Sequence, residues 1–260
     1  MSAVAKEATS EGLQPLPLAV RTAVVVRSLL VQAAWNYRTM LGTGMAFALT
    51  PALRHVHGSA EAVDRALERH ASLFNAHPYL TPLALGALAR LEAEGASEEM
   101  IERFRAAVRG PLGALGDRLV WAGWLPLCSL MGIAVSAAVG PGAGVAAFLI
   151  VYNAGHLALR AWGFQVGWAS GASLGSRLRE LRLTREARRI ETGVCLLAGV
   201  VAGFLLPSLA GADPAWLPGL IGVLALLVGY GAGVRAWRPA AWIVTLGVGA
   251  LGLAGYFLQL

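Results

Sequence analysis

Amide, imidazole and carboxylate side chains stand beside apolar stretches at three places in this 260-residue sequence. Asn75 and His77 lie in SLFNAHPYLTPLALG, Asp117 ends the glycine-rich part of RGPLGALGDRLVW, and Asn153 lies in VYNAGHLALRAWG. Such groups supply the hydrogen-bond donors and acceptors that a polar ligand needs. Each also has a structural interpretation, since polar groups often cap helices or satisfy buried backbone.

The glycine-rich run has two interpretations. Gly110, Gly113 and Gly116 recur every third residue, and Asp117 follows them. The first interpretation is a linker with Asp117 as a helix N-cap, worth ~1 kcal/mol. The second is a glycine-rich hairpin at membrane depth, whose amides and Asp117 line a polar site. Position alone favours the linker, and the absence of a following Lys argues against a nucleotide-binding loop.

Helical spacing puts Asn153, His156 and Arg160 on one face. Polar groups in membrane helices usually face the protein interior or a water-filled cavity. Arg160 can extend to the interface, so Asn153 is the better candidate for a buried site. Trp35 and Asn36, in QAAWNYRTM, combine an aromatic face with an amide, as sugar sites do, although a Trp in an interfacial belt is the commoner case.

Catalytic chemistry finds no support in the sequence. The histidines at 55, 57, 70 and 77 are scattered, without a metal-ligand pair backed by carboxylates. There is no nucleophilic serine elbow and no Cys/His constellation. Cys128 and Cys195 sit in apolar segments, where thiols act as small hydrophobic groups. We therefore expect neither an enzyme nor a cofactor or metal.

Composition indicates an integral membrane protein. The apolar share is 57%, the charged share 14% and the mean hydropathy +0.61, with 32 glycines that suit close-packed membrane helices. The net charge of +6 is concentrated in an arginine-rich run between apolar segments, at 160–191. That placement is typical of a cytoplasmic loop and argues against nucleic-acid binding.

The expected fold is all-α, with about five membrane segments in the C-terminal half. No Asp, Glu, Lys or Arg occurs at 119–159, which predicts helices at about 119–138 and 143–159 with a turn at VGPGAG. Three further spans are predicted at 192–210, 216–234 and 240–258. The N-terminus is expected in the cytoplasm and the C-terminus outside.

The N-terminal half is predicted to form amphipathic and re-entrant helices. Residues 18–31 suit an interfacial helix, and 41–53 suit a re-entrant or broken segment. Amphipathic helices are predicted at 59–73 and 97–108, each beginning at a Ser cap. The expected division is a disordered tail at 1–17, a core at 18–171, an arginine-rich cytoplasmic loop at 172–191 and C-terminal membrane helices at 192–260.

Five motifs, taken in order, resemble the IID component of mannose/fructose/sorbose-type phosphotransferase systems. They are QAAWNYRTM, RHASLFNAHPYLTPLALG, RGPLGALGDRLVW, FLIVYNAGHLALRAWGFQVGWASG and the final WIVTLGVGALGLAGY. FNAHPY and GPLGALGD are the most distinctive.

The resemblance implies a subunit of a bacterial inner-membrane permease. Such a subunit pairs with a IIC subunit, and together they bind and translocate a hexose. A cytoplasmic IIB subunit, supplied through IIA, HPr and enzyme I, phosphorylates the sugar, and IID carries no phosphorylated residue. The pairs assemble as a trimer of heterodimers in the lipid membrane. The sugar-site candidates are then Asn75, His77, Asp117 and Asn153, supported by Trp35 and Asn36.

Several positions depart from the usual family pattern. Arg38 and Thr39 replace a Glu-Arg pair, Arg118 and Leu125 replace residues after the Gly-Asp, and His156 replaces an Arg. A second interpretation therefore stays open: a diverged IID relative that acts as a non-transporting scaffold or regulatory membrane protein.

Overall fold

A computed structural model describes residues 16–210, and side chains up to residue 202. The described residues are helical and form no named strand, which confirms the all-α class. The helices are α1 (Leu18–Arg27), α2 (Gly42–Val56), α3 (Ala60–Ala71), α4 (Thr81–Ala93), α5 (Glu98–Gly116), a π-helix (Asp117–Trp124), α6 (Leu125–Val139), α7 (Pro141–Ser170), α8 (Leu174–Glu180) and α9 (Leu183–Ala210). The spans predicted at 216–234 and 240–258, and most of the 1–17 tail, lie outside the described residues.

The chain forms two compact units that interleave along the sequence. The first unit contains the described residues up to Gly116 and His156–Leu181, and the second contains Asp117–Gly155 and the described residues from Arg182. The sequence predicted consecutive segments instead. The segment 172–191, expected as a loop, is mostly helical, and its cytoplasmic location stays a prediction.

α4 is the central helix of the first unit. Eleven of its thirteen residues are buried, so nearly all of its surface is covered by neighbouring elements. Gly86 lies against the carbonyl of Phe164, and Gly167 of α7 lies against the carbonyl of Leu83, so that a Cβ at either glycine would overlap backbone atoms. Glycine thus brings α4 and α7 into backbone contact, as in close-packed membrane helices.

The two predicted amphipathic helices are confirmed, with their caps. Ser59 Oγ accepts a hydrogen bond from Ala62 N at 3.2 Å, and Ser97 Oγ accepts one from Met100 N at 3.3 Å. These bonds satisfy backbone donors that a helix N-terminus otherwise leaves unpaired. α5 continues past its predicted end to Gly116.

The expectation of a broken segment at 41–53 is wrong, because α2 is one continuous helix with Pro51 inside it. A proline has no N–H, so the carbonyl four residues earlier, that of Phe47, loses its helical donor. Arg27 replaces that donor, since its Nη1 donates to Phe47 O at 3.3 Å. Whether α2 enters the membrane stays a prediction.

Both interpretations of the glycine-rich run are also wrong. α5 passes through Gly110, Pro111 and Gly113 as helix and leads directly into the π-helix that begins at Asp117. Asp117 is therefore neither the cap of a separate helix nor part of a hairpin. A π-helix widens the backbone ladder and occurs often at functional sites.

The second unit confirms the predicted turn at VGPGAG. α6 ends at Val139, Gly140 adopts a φ of +121°, and α7 begins at Pro141. A positive φ favours glycine, and proline suits the first position of a helix. The span predicted at 192–210 is helical, as part of α9.

Two continuous helical stretches in the described part of the chain are long and apolar enough to cross a membrane, Glu98–Val139 and Pro141–Glu180. Only 17% and 6% of their most apolar windows are buried within the protein. The core helix of a water-soluble protein would be mostly buried, so these surfaces suit lipid or a partner subunit.

Candidate functional site

The segment that leads into α4 pairs with the turn that leads into α2. Leu41 N donates to Phe74 O at 2.9 Å, and Phe74 N donates to Thr39 O at 3.1 Å. Met40, between them, has a φ of +53°, a conformation that costs a non-glycine residue roughly 1–2 kcal/mol. Two of the five sequence motifs therefore meet through backbone hydrogen bonds.

Asn36 shapes that turn with its side chain. Its Oδ1 accepts hydrogen bonds from Arg38 N at 3.0 Å and Thr39 N at 2.9 Å, and its Nδ2 donates to Thr39 Oγ1 at 2.8 Å. Such local bonds are typical of Asn in turns. Thr39, one of the departures from the family pattern, thus serves as a partner of Asn36.

His77 is buried against the glycine face of α5. Its side chain is 2% exposed, and its Nδ1 accepts a hydrogen bond from Tyr79 N at 3.2 Å. A Cβ at Gly116 would overlap the His77 side chain, and a Cβ at Gly113 would lie 3.8 Å from Ala76 Cα. The three-residue glycine spacing therefore places two glycines where the FNAHPY loop packs on the helix.

Tyr79 is held between side chains of α7. The His156 ring stacks on it with centroids 4.8 Å apart, and the Arg160 guanidinium lies 4.9 Å from its centroid. Arg160 is 3% exposed, and its Nη1 donates to Ser28 O at 2.7 Å and Ser28 Oγ at 3.1 Å. The expectation that Arg160 extends to the interface is wrong, because these partners hold it inside the first unit.

We call this arrangement the FNAHPY junction, comprising residues 36–41, 74–79, 113–116 and the His156 and Arg160 side chains. It joins four of the five motifs within the first unit. Asn75 is exposed at this junction, whereas His77 is buried in it. Trp35, 44% exposed, stands next to the turn and meets Tyr37 edge to face at 4.8 Å.

The two remaining sugar-site candidates, Asp117 and Asn153, belong to the second unit. Asp117 is exposed at the first residue of the π-helix. Asn153 was expected to be buried and is exposed, with Nδ2 donating to Leu149 O at 2.6 Å. An amide in an apolar helix can satisfy itself on the preceding turn, which is why burial does not follow from its polarity.

Sequence reasoning missed an ionic cluster in the first unit. The buried Glu92 carboxylate accepts hydrogen bonds from His57 Nε2 at 3.0 Å, His70 Nε2 at 2.7 Å and Arg69 Nη2 at 2.7 Å. Burial by itself raises the pKa of Glu92, but the bonds from His70 and Arg69 outweigh it and lower that pKa to about 2. The sequence did contain one signal of this cluster, a single acidic residue in the apolar segment LALGALARLEA. A carboxylate buried in such a segment needs hydrogen-bonding or charged partners.

Arg118, another departure from the family pattern, forms a two-pronged ion pair in the second unit. Its Nε and Nη2 donate to the two carboxylate oxygens of Glu191 at 2.6 and 2.8 Å. This fork geometry is the strongest arrangement of an Arg–carboxylate pair. It ties the π-helix to α9.

Among residues 16–210, no group of three or more His, Cys, Asp or Glu side chains is arranged to hold a metal ion. The contacts described above are hydrogen bonds, ion pairs and ring contacts.

A family model described as "PTS system mannose/fructose/sorbose family IID component" matches residues 18–213. The chain belongs to this family. That membership confirms the resemblance drawn from the five motifs.

Curated relatives carry the same description. The chain is 29% identical over 157 residues to a PTS system mannose-specific EIID component of Escherichia coli K12, covering 58% of this chain and 55% of the relative. It is 25% identical over 186 residues to the fructose permease IID component of Bacillus subtilis 168, covering 70% and 66%. A sorbose-specific EIID component of Klebsiella pneumoniae is 27% identical, with the same two coverages. The matched region thus spans less than two thirds of each relative.

Solved structures share the fold. A chain of "CryoEM Structure of Mannose Transporter ManYZ and Microcin E492 (MceA) complex" superposes with a TM-score of 0.57 at 23% identity, covering 95% of this chain and 98% of that one. A second, titled "Structure of membrane protein", gives 0.64 at 24% identity, covering 95% and 99%. At such identities the likeness concerns the fold alone.

Proposed function

We propose that this chain is the IID subunit of a hexose permease in the bacterial inner membrane. It acts with a IIC subunit to bind and translocate the sugar, and a IIB subunit, charged through IIA, phosphorylates it. Three such IIC–IID pairs form the assembly, with the IID N-terminus in the cytoplasm and the C-terminus outside. Family membership supports this proposal, as do the mannose, fructose and sorbose specificities in the names of the relatives.

The observation that carries the proposal is the FNAHPY junction. Buried His77, packed on Gly116, and Tyr79, held by His156 and Arg160, fix the loop from which Asn75 is exposed. Recognition of sugar hydroxyls depends on donors and acceptors fixed in place, because a mismatched sugar then leaves them unpaired. A rigid loop with an exposed amide meets that requirement.

The candidates divide by role in this proposal. The exposed Asn75, Asp117 and Asn153 contact the sugar path, and exposed Trp35 offers a stacking face. His77 and Asn36 act indirectly, since both side chains are engaged in holding backbone turns. No residue of this chain takes up phosphate, which is carried by the IIA and IIB subunits.

The non-transporting scaffold is the second candidate, and two contacts favour it. Arg118 is committed to Glu191, and His156 is stacked on Tyr79. Both substituted positions therefore serve packing within a unit. A scaffold would form a stable membrane complex without moving sugar.

Uptake separates the two candidates. Cells without their own mannose, fructose and sorbose permeases would express this chain with its IIC, IIB and IIA partners, and uptake of the three labelled sugars would be measured. Asn75→Ala and Asp117→Asn are expected to lower uptake at least tenfold while membrane levels of the chain stay constant. Asp64→Asn, an exposed carboxylate change on α3, is the control and should leave uptake unchanged. Wild-type complex without uptake of any of the sugars would favour the scaffold.

A further inference from the structure

α1 and the turn that follows it pack on the rest of the first unit through one face only. Val24, Ser28 and Val31 are buried there. Arg160 donates to the Ser28 carbonyl, and Gly44 of α2 lies directly against the Val31 carbonyl. This inner face is therefore held by backbone and side-chain contacts.

The opposite face is apolar and uncovered in the described residues. Leu18, Val26 and Leu29 recur there at helical spacing with exposures of 75%, 55% and 43%, and Leu30 beside them is 56% exposed. A helix with an apolar outer face and basic side chains beside that face is typical of a membrane interface. Because the first unit covers one face, the other is left without an apolar cover among the described residues.

Aromatic residues extend the same surface. Tyr37, next to the stacking candidate Trp35, is 87% exposed. Trp and Tyr collect at membrane interfaces because one part of each side chain is apolar and another is polar. Phe47, also exposed, is covered in part by the Arg27 guanidinium at 4.8 Å from its centroid.

The charge of this region has a single sign. The sequence has no Asp or Glu between Glu11 and Glu61, whereas Arg21, Arg27 and Arg38 stand along the apolar surface. Arg21 and Arg27 each donate one N–H to a backbone carbonyl, and a guanidinium has five N–H groups, so donors remain for other acceptors. Basic residues without neighbouring carboxylates suit an anionic lipid headgroup layer, to which each Lys or Arg near the surface adds about 1 kcal/mol of binding free energy.

We propose that residues 18–38, the exposed arm, form an interfacial anchor that binds anionic phospholipid. The outer apolar face lies at the boundary between headgroups and acyl chains, at a depth of roughly 5–10 Å. Arg21, Arg27 and Arg38 lie at the level of the lipid phosphates. The proposal rests on membership of a membrane family and not on sugar transport, so its failure leaves the transport proposal standing.

The depth of the arm tests the first half of the proposal. The full chain, carrying Cys128→Ala and Cys195→Ala, would be spin-labelled at Leu29→Cys in vesicles of equal parts phosphatidylethanolamine and phosphatidylglycerol. The label is expected to collide with oxygen, which enters the bilayer, and not with a water-soluble nickel chelate. A label at Glu61→Cys, exposed on α3, should show the reverse. Similar nickel collision rates at both positions would overturn the anchor, as would shielding of Leu29 from both reagents in a co-expressed IIC complex, since a protein then covers the arm.

Lipid selectivity tests the second half. The relative association of spin-labelled phosphatidylglycerol with the full chain is expected to fall up to about fivefold for Arg38→Gln, because each arginine near an anionic surface contributes about that factor. Arg103→Gln, an exposed arginine of α5 outside the arm, is the matched control and should not change it. Equal effects of the two variants, or none for either, would contradict anionic-lipid binding by the arm.

Discussion

His70 donates from Nε2 to the Glu92 carboxylate at 2.7 Å, while its Nδ1 stands 3.2 Å from Nη1 of Arg105. A guanidinium has only donors, so Nδ1 must accept and the imidazole is neutral. Burial lowers the pKa of His70 below its ordinary value, and although Glu92 acts in the opposite sense, Arg105 and Arg69 add to the lowering. The cluster is thus built around an uncharged imidazole and a charged carboxylate.

Acid should destabilise the protein through these two groups. Because the folded-state pKa of His70 is lowered, unfolding takes up a proton below the unfolded pKa of about 6.5, and stability falls with pH from there. The contribution of Glu92 is present above its unfolded pKa of about 4.3 and is lost as pH falls towards about 2. Thermal unfolding in detergent, followed by tryptophan fluorescence, would show the midpoint falling below about pH 6.5. An unchanged slope between about pH 6.5 and 5 in His70→Gln would contradict the assignment.

Neutralising Glu92 should be among the most damaging single changes in α4. Glu92→Gln removes the carboxylate that accepts hydrogen bonds from Arg69, His57 and His70, and loss of one partner of a buried ion pair costs about 3–5 kcal/mol. Glu94→Gln is the matched control on the same helix, because Glu94 forms an exposed i,i+4 pair with Arg90 that is worth about 0.3–0.5 kcal/mol. The free energy of unfolding of both variants would be compared. Equal losses would show that the cluster contributes no more than a surface pair.

Two glycines of one motif should respond in opposite directions. Gly116→Ala places a Cβ into the His77 side chain, and overpacking of this kind costs about 1–3 kcal/mol. Gly110→Ala has nothing within 4 Å of the new Cβ and should stabilise α5 by up to about 1 kcal/mol. Thermal unfolding midpoints of the two variants would be compared with that of the wild type. Destabilisation by both variants would contradict the conclusion that the glycine spacing serves packing of the FNAHPY loop on α5.

The Arg118–Glu191 pair should show energetic coupling. Arg118→Ala and Glu191→Ala each remove the same two hydrogen bonds, so the double variant is expected to lose less stability than the sum of the single ones, with a coupling of about 0.5–3 kcal/mol. The exchange Arg118→Glu with Glu191→Arg should recover part of the loss. Strict additivity in this double-mutant cycle would mean that the pair does not tie the π-helix to α9.

His77→Ala should act on the amount of protein rather than on transport alone. Since His77 is buried on α5 and bonded to Tyr79 N, its removal leaves a cavity and an unsatisfied amide. Membrane levels of the chain, measured by immunoblot, should fall for His77→Ala and stay constant for Asn75→Ala. Constant levels with lost uptake for His77→Ala would instead assign His77 a direct role in the sugar path.

Signals that act between residues close in the sequence predicted the helix starts and the turn that the structure confirms. Ser59 and Ser97 mark helix starts by side-chain chemistry that acts within three residues, and the Gly140–Pro141 turn follows from the backbone preferences of two residues. The prediction for α2 was wrong because Pro51 and the glycines before it suggest a break, whereas Arg27, twenty positions before Phe47, supplies the donor that the Phe47 carbonyl lacks. Such a partner is visible only in three dimensions.

The candidate site was recognised as an ordered set of motifs, without the contacts that explain them. Polarity alone suggested a buried Asn153 and an interfacial Arg160, and the structure reverses both. The buried arginine is stabilised by Ser28, which lies 132 positions away. Sequence spacing within one helix cannot reveal a partner at that separation, so burial of a polar residue was the least predictable property.

Co-purification with a co-expressed IIC subunit, followed by titration of the complex with mannose, fructose and sorbose, tests the central claim most directly. The account predicts a stable complex of the two chains that binds one of these hexoses, with binding weakened by Asn75→Ala and unaffected by Asp64→Asn. A chain that forms no complex with IIC, or a stable complex that binds none of the sugars, would contradict it.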